Sequence, residues 1–461
     1  MASGTELSIE VHQQKFLAEG DTAMHAILSV TARGGPGRPG GAAEVLLIDC
    51  SSSMRHPRTK IEEAKRAAAA AIDVLPDGVE FAVVRGTETA STVYPRAGRL
   101  VTASAETRRA ARKEIARLTA FGGTAMGRWL DHAKWLFDGH TGTVRHAVLL
   151  TDGRNQSETH ESLVKTLNAC EGHFVCDARG VGDEWLPDEL AEIVKVLRGS
   201  ADSVVEPREL DFRGLVGAAL TKVLPEVRLR IGTMDYSSLR FVKQVYPGEY
   251  DLTDRCRPAG DREVVLALGS FSGDESRDYH IRLDLDEKLE PSFDEDRQLA
   301  WAELAEVAGA RTNGPAAVLG RWTHGPTVVH PLVERYTAQA ELAEAITTGG
   351  DALAAGRTAD AERAWGAAVR LATAQGNEEV LDRLRGVVEI LDAGSVRLRP
   401  GAGRSAVLHL LISAVSRIGS TSKPEPDAEG PPVTCPSCRK LSPAAARLCE
   451  RCGAPLGEVT T

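Results

Sequence analysis

The chain has 461 residues, 42% apolar and 26% charged, with a formal net charge of −10. At roughly 100–200 residues per domain, that length calls for several cores rather than one. The acidic balance argues against general attraction to nucleic acid or an anionic membrane, and no run of about 18 apolar residues offers a transmembrane helix. The first ten residues lack the basic and apolar regions of a signal peptide. Four of the eight cysteines crowd near the C-terminus, while Cys50, Cys170, Cys176 and Cys256 are scattered. This is too sparse for a secreted disulfide scaffold. We expect a reducing cytoplasm and buried free thiols, with Cys170–Cys176 the one pairing worth testing.

Residues 6–33 alternate apolar and polar with period two, which predicts strands. The loop GGPGRPGG at 34–41 contains a G-x-G-x-x-G match at Gly35, Gly37 and Gly40. The dinucleotide fingerprint needs a strand before it and a helix after it. Here a strand follows, so the segment reads as a flexible loop. From residue 44 strands and helices alternate. Strands are expected at 44–49, 79–84, 145–152, 173–178 and 202–205. Helices are expected at 60–75, 107–118, 125–137, 159–170, 188–198 and 211–223. The apolar runs EVLLID and AVLLT predict strands buried on both faces, hence a mainly parallel, doubly wound sheet.

After Pro225 period two returns, with strands expected at 227–231, 239–245, 263–268 and 279–285. The segment 297–308 has a helical composition but sits among strands, and it is read as strand. The early strands of 6–33 have no partners nearby in sequence. They are expected to pair with those of 227–323 in a β-sandwich into which the α/β domain is inserted. From Pro331 the chain reads as helices, with breaks at Gly349–Gly350, Gly356 and Gly376. They resemble a tetratricopeptide-type pair, though one copy is no solenoid, and a packing or dimerising bundle is the reading taken. The expected organisation is sandwich strands over 1–40, the α/β domain over 41–225, remaining sandwich strands over 226–330 and a helical segment over 331–395. A linker over 396–432 and a cysteine module over 433–461 complete it.

Residues 49–53 read D-C-S-S-S directly after a buried strand. In open α/β sheets ligands bind at the carboxyl ends of strands, where strand order reverses. Phe121-Gly122-Gly123-Thr124 precedes a helix, and Asp152-Gly153 ends another buried strand. This combination resembles the metal-ion-dependent adhesion site of von Willebrand factor A (VWA) and integrin-type domains over about residues 44–224. The resemblance implies a Rossmann-like fold in which Ser51, Ser53 and Thr124 supply hydroxyl ligands and Asp49 and Asp152 supply carboxylates. All five are hard oxygen donors, which suits Mg2+ (or Mn2+ or Ca2+). In the family the metal takes a further oxygen from an Asp or Glu of a partner protein. Cys50, between the first ligands, is expected to pack inward.

Cys435-x-x-Cys438 and Cys449-x-x-Cys452 have the spacing of a structural Zn2+ site. The segment resembles the zinc ribbons that end many bacterial proteins. Four cysteine ligands leave no open position for catalysis. The module is mildly basic but lacks stacking aromatics, which favours docking to protein over nucleic acid.

The expected function is non-enzymatic: a Mg2+-dependent interaction or scaffold protein recognising a partner carboxylate. The alternative is an accessory subunit of a AAA+ ATPase, chelatase-type or stress-response complex. No P-loop and no G-x-S-x-G elbow is present; GSFSG at 269–273 has its serine displaced. The sequence leaves the oligomeric state open.

Overall fold

The structure is a computed structural model. It describes residues 5–34, 41–55, 59–142, 144–182, 184–204, 222–286, 289–291, 293, 295–305, 310–324, 330–392, 394–416, 433–434 and 441–442. The chain opens with β1 (Thr5–Gln13), β2 (Phe16–Leu17) and β3 (Ala23–Arg33). Six of the eight residues of the loop 34–41 lie outside the described residues.

The α/β domain then runs β4 (Ala42–Asp49), α1 (Thr59–Val74), β5 (Glu80–Gly86), β6 (Ala90–Tyr94), β7 (Val101–Thr102), α2 (Ala105–Ile115), α3 (Met126–Asp138), β8 (Val144–Thr151), α4 (His160–Cys170), β9 (Val175–Val181), α5 (Pro187–Leu197) and β10 (Arg198–Val204). The sheet order is β10-β9-β8-β4-β5-β6, with β7 also on β5. Strands β10, β9, β8, β4 and β5 are parallel, and β6 and β7 are antiparallel edges. The chain leaves β4 for β5 on one side and returns to β8 on the other. The C-terminal ends of β4 and β8 therefore flank a topological switch point.

Every residue of β4 is buried, as its apolar run requires. Val45 and Leu47 face a core with Trp129, Leu163 and Ile193, while Leu46 and Ile48 face one with Ile61, Ala68 and Ile115. Helices thus cover both faces. Two polar residues hide in these strands. Buried Glu44 lies 2.9 Å from His146 Nδ1, and His146 Nε2 lies 3.0 Å from Asp177. Burial would lower the imidazole's proton affinity, but Glu44 and Asp177 outweigh it and push its pKa up to about 10. The result is a charged clasp across β4, β8 and β9.

The second half adds β11 (Lys222–Thr233), β12 (Ser237–Tyr246), β13 (Tyr250–Asp251), β14 (Arg257–Gly260), β15 (Glu263–Ser272), β16 (Asp274–Leu285), β17 (Arg297–Leu304), β18 (Ala310–Thr312) and β19 (Ala316–Trp322). These join the N-terminal strands in two six-stranded sheets, β13-β12-β16-β3-β1-β18 and β14-β15-β11-β17-β19-β2. The α/β domain is inserted between β3 and β11. Segment 297–304 is indeed strand: Leu299, Ala302 and Leu304 are buried, and pairing with β11 and β19 overrides its helical propensity. Most of the helix expected at 211–223 lies outside the described residues; residues 222 and 223 belong to β11.

Two expectations for the C-terminal part are corrected. Gly349–Gly350 does not break the chain, because one helix runs from Pro331 to Ala354. The glycines are packing sites: a Cβ on Gly349 would stand 2.3 Å from Trp365 Nε1, and one on Gly350 would stand 2.5 Å from Leu411 Cδ2. The stretch 396–432 is not all linker either. After helices Thr358–Ala374 and Glu378–Val387, strands Val388–Ile390 and Val396–Leu398 pair, and Arg404–Ser416 is a helix. This last helix buries Leu408 and Ile412 in the shared core of the α/β domain and sandwich. Its His409 Nδ1 lies 2.6 Å from Ser203 Oγ of β10. Burial of an apolar face explains the short run that had no partner in sequence.

Alanine ordinarily beats glycine in a helix by about 1 kcal/mol. Gly349→Ala is expected instead to cost about 1–3 kcal/mol through overpacking against Trp365. Gly386→Ala, with open space around its new methyl, is expected to be neutral or stabilising. Urea unfolding of the two variants checks this.

Candidate metal centre

Asp49 ends β4 with no exposed surface. Its Oδ1 accepts from the Ser51 amide at 2.7 Å, and its Oδ2 accepts from Thr151 Oγ1 at 2.6 Å. Residues 51–53 follow as a tight turn into a short 3-10 helix, with Ser51 buried and Ser53 half-buried. Ser51 and Ser53 hydroxyls stand 2.8 Å apart, and Ser53 Oγ donates to Asp152 Oδ1 at 2.7 Å.

Backbone hydrogen bonds lock the loops to one another. Ser52 N donates to Gly122 O and Phe121 N to Cys50 O, joining the first loop to the second. Ser157 N donates to Thr124 O, and Thr124 N donates to Ser157 Oγ, joining the second to the third. Gly122 is required here. Its φ is +84°, and a Cβ would fall 2.1 Å from Glu88 Oε2, which accepts from Gly123 N.

The five residues named from sequence converge. A Cβ on Gly153 would lie 3.2 Å from Ser53 Oγ, 3.4 Å from Thr124 Oγ1 and 3.9 Å from Asp49 Oδ2. One position of the third loop thus looks onto two oxygen donors of the first loop and one of the second, and a side chain there would crowd them. Thr124 Oγ1 is buried and has no hydrogen-bond partner within the protein. A buried hydroxyl left unpaired costs about 1–3 kcal/mol, so it points to an absent electrophile. Among the described residues no group of three or more His, Cys, Asp or Glu side chains forms a metal cluster; this donor set is built on hydroxyls instead.

The electrostatics agree with a cation. Burial and the neighbouring Asp152 push the Asp49 pKa up to about 6, against the pull of its hydrogen bonds from Ser51 and Thr151. Burial also raises Asp152, and Lys60 opposes it. Lys60, at the start of α1, places Nζ 2.7 Å from Asp152 Oδ2 and 3.7 Å from Glu184. Sequence reasoning missed both Lys60 and Thr151, since neither falls in the D-x-S-x-S motif. Thr151, directly before Asp152, was the more findable. Cys50 is fully buried, and burial pushes its thiol up to about 12, so it is an inert packing residue. Cys170 and Cys176 are buried free thiols.

Cys435, Cys438, Cys449 and Cys452 lie outside the described residues. Two-residue strands Val433–Thr434 and Leu441–Ser442, which flank the first pair in sequence, are joined antiparallel. No helix among the described residues is long and apolar enough to cross a membrane.

Residues 43–202 match the family model described as von Willebrand factor type A domain. A solved structure, von Willebrand factor type A from Catenulispora acidiphila, is 35% identical with a TM-score of 0.81. That match covers 90% of this chain and 97% of that one, so it reaches well beyond the α/β domain. The ArnB paralog VWA2 from Sulfolobus acidocaldarius shares the fold at a TM-score of 0.54 and 11% identity, covering 90% of this chain and 99% of that one. A search of curated proteins finds no match. With a relative 35% identical over 90% of this chain, the chain belongs to the von Willebrand factor type A domain proteins.

Proposed function

We propose that this protein is a non-enzymatic, Mg2+-dependent interaction protein whose VWA site recognises a carboxylate on a partner protein. The observation that carries this reading is the buried, partnerless Thr124 hydroxyl, which faces the same point as Ser53 and Asp49. Ser51, Ser53 and Thr124 would hold the cation through hydroxyl oxygens, and Asp49 and Asp152 would supply its charge. A bound Mg2+ (or Mn2+ or Ca2+) acts there as a Lewis acid for an incoming anionic oxygen.

Charge balance explains why that oxygen should be anionic. Two carboxylates would neutralise a divalent cation by themselves, but Lys60 already pairs with Asp152. Because Asp152 is shared with Lys60, and Glu184 near Lys60 is half exposed, the cation is not fully neutralised by its own two carboxylates, and a partner Asp or Glu would supply the balance. Phe121, 40% exposed in the second loop and stacked under Arg85 at 4.9 Å, offers apolar contact beside the site. The spacing of the four C-terminal cysteines supports a structural Zn2+ ribbon that adds a second docking surface.

Thr124→Val should leave the metal-free protein as stable as wild type or slightly more so, because it removes an unsatisfied hydroxyl. It should weaken Mg2+ binding by about tenfold or more, since one of three direct oxygen donors is gone. Urea melts and calorimetric Mg2+ titration measure the two effects. Capture of partners with wild-type and folded Asp49→Ala baits in Mg2+ buffer tests the function itself. A partner lost only from Asp49→Ala is the expected result; identical captures on both baits would refute carboxylate recognition at this site.

A further inference from the structure

Lys60 stands where burial and helix electrostatics both disfavour a cation. It is the second residue of α1, in the first turn, where the helix dipole is positive. It is only 8% exposed, and a lysine is almost never buried unless it is paired. Its stem runs along Gly182, where a Cβ would touch Cε at 3.4 Å. Two carboxylates face its ammonium. Asp152 Oδ2 lies at 2.7 Å on a side chain with no exposed surface, and Glu184 Oε2 lies at 3.7 Å on a side chain 58% exposed. Water screens the second pair far more than the first, so Asp152 is the stronger hold. The loop bearing Glu184 is itself fixed, because Arg154 Nε donates to Glu184 O and Trp185 Nε1 donates to Gly182 O.

The oxygen that Lys60 covers differs from the other three carboxylate oxygens of the site. Asp49 Oδ1 accepts from the Ser51 amide, Asp49 Oδ2 from Thr151, and Asp152 Oδ1 from Ser53. Asp152 Oδ2 is buried and accepts no aligned hydrogen bond, so the charge of Lys60 holds it. An ion pair without hydrogen-bond alignment is one that a spherical cation can replace or share. The Thr124 hydroxyl is likewise unpartnered. One anionic oxygen and one hydroxyl oxygen are therefore left for a cation, and a tethered ammonium sits on the anionic one.

We propose that Lys60 is a built-in competitor of the metal. Its ammonium stabilises the two buried aspartates when no metal is bound, and it sets the affinity of the site for Mg2+ low by sharing Asp152. Glu184 is the outer carboxylate that offsets part of its charge. This rests on the metal reading of the site and adds its regulation: the metal alone is held weakly, and an anionic oxygen from a partner tightens it by restoring the missing negative charge. By linkage the metal tightens the partner to the same degree.

The test is calorimetric Mg2+ titration of the full chain, with thermal unfolding in the same buffer with and without Mg2+. Lys60→Met should bind Mg2+ about tenfold or more tightly than wild type, because a positive charge beside the cation is gone. Without Mg2+ it should melt below wild type, since Asp152 then lacks its counter-charge, and it should gain more than wild type when Mg2+ is added. Glu184→Gln should weaken Mg2+ binding by about threefold, and by less in the Lys60→Met background. Glu184 is exposed, so Glu184→Gln folds whatever Lys60→Met does, and it decides the matter alone if that variant is unstable. If Lys60→Met binds Mg2+ no more tightly than wild type, or Glu184→Gln binds it as tightly, the proposal is overturned while the metal reading stands. If neither wild type nor Lys60→Met binds Mg2+, the metal reading falls and the proposal with it.

Discussion

Two buried carboxylates at the ends of adjacent parallel strands set the terms for this molecule. Asp49 and Asp152 sit with no exposed surface at the switch point between β4 and β8. Burying charge is costly unless it is paired and hydrogen-bonded. The surrounding structure answers that cost piece by piece. Ser51 and Thr151 donate to Asp49, Ser53 donates to Asp152, and Lys60 supplies one compensating charge. Glycines at 122 and 153 keep the approach clear. Lys60 is itself shared with Glu184, so uncompensated negative charge and one unpaired hydroxyl remain, and both are terms that a divalent cation would satisfy.

The architecture around this site is an insertion that has fused with its host. Core packing runs without interruption from the β4 face of the VWA sheet through the sandwich to Leu408 and Ile412 of the last described helix. Tyr336 Oη donates to Asp278 at 2.5 Å, and Arg383 reaches Asp202 at 3.3 Å, so the helical segment is tied to sandwich and VWA domain alike. Buried polar contacts therefore orient the modules while apolar contacts hold them.

Much of this was legible in the sequence, for identifiable reasons. The candidate site residues could be named because each follows an apolar strand or precedes a helix, and those junctions mark one edge of a parallel sheet. The sandwich split by an insertion was legible because the strands of 6–33 read as period two yet are too few to make a sheet alone: β1 and β3 pair with each other, and the rest of their sheet comes from beyond the α/β domain. What stayed hidden depends on contacts between distant segments. Gly349 and Gly350 read as breaks because propensity knows nothing of Trp365 and Leu411 lying across them. The helix Arg404–Ser416 read as linker because its burying surface, α5 and β10, is remote in sequence. Glu44 and His146 vanish inside apolar runs, and only the strand order brings them together. Lys60 looks like any helix lysine until α1 is packed beside β8.

The most direct test of the account is a crystal structure of the full chain grown with Mn2+, with anomalous scattering recorded at the manganese edge. The expected result is one strong peak among Ser51, Ser53 and Thr124, with the Thr124 hydroxyl turned to it and Asp49 and Asp152 alongside. A map without a peak there, at Mn2+ concentrations that fill other exposed carboxylate sites, would contradict the assignment. The Lys60–Asp152 pair and the serine hydroxyls would then be a closed structural network, and the protein's partners would have to be sought on another surface.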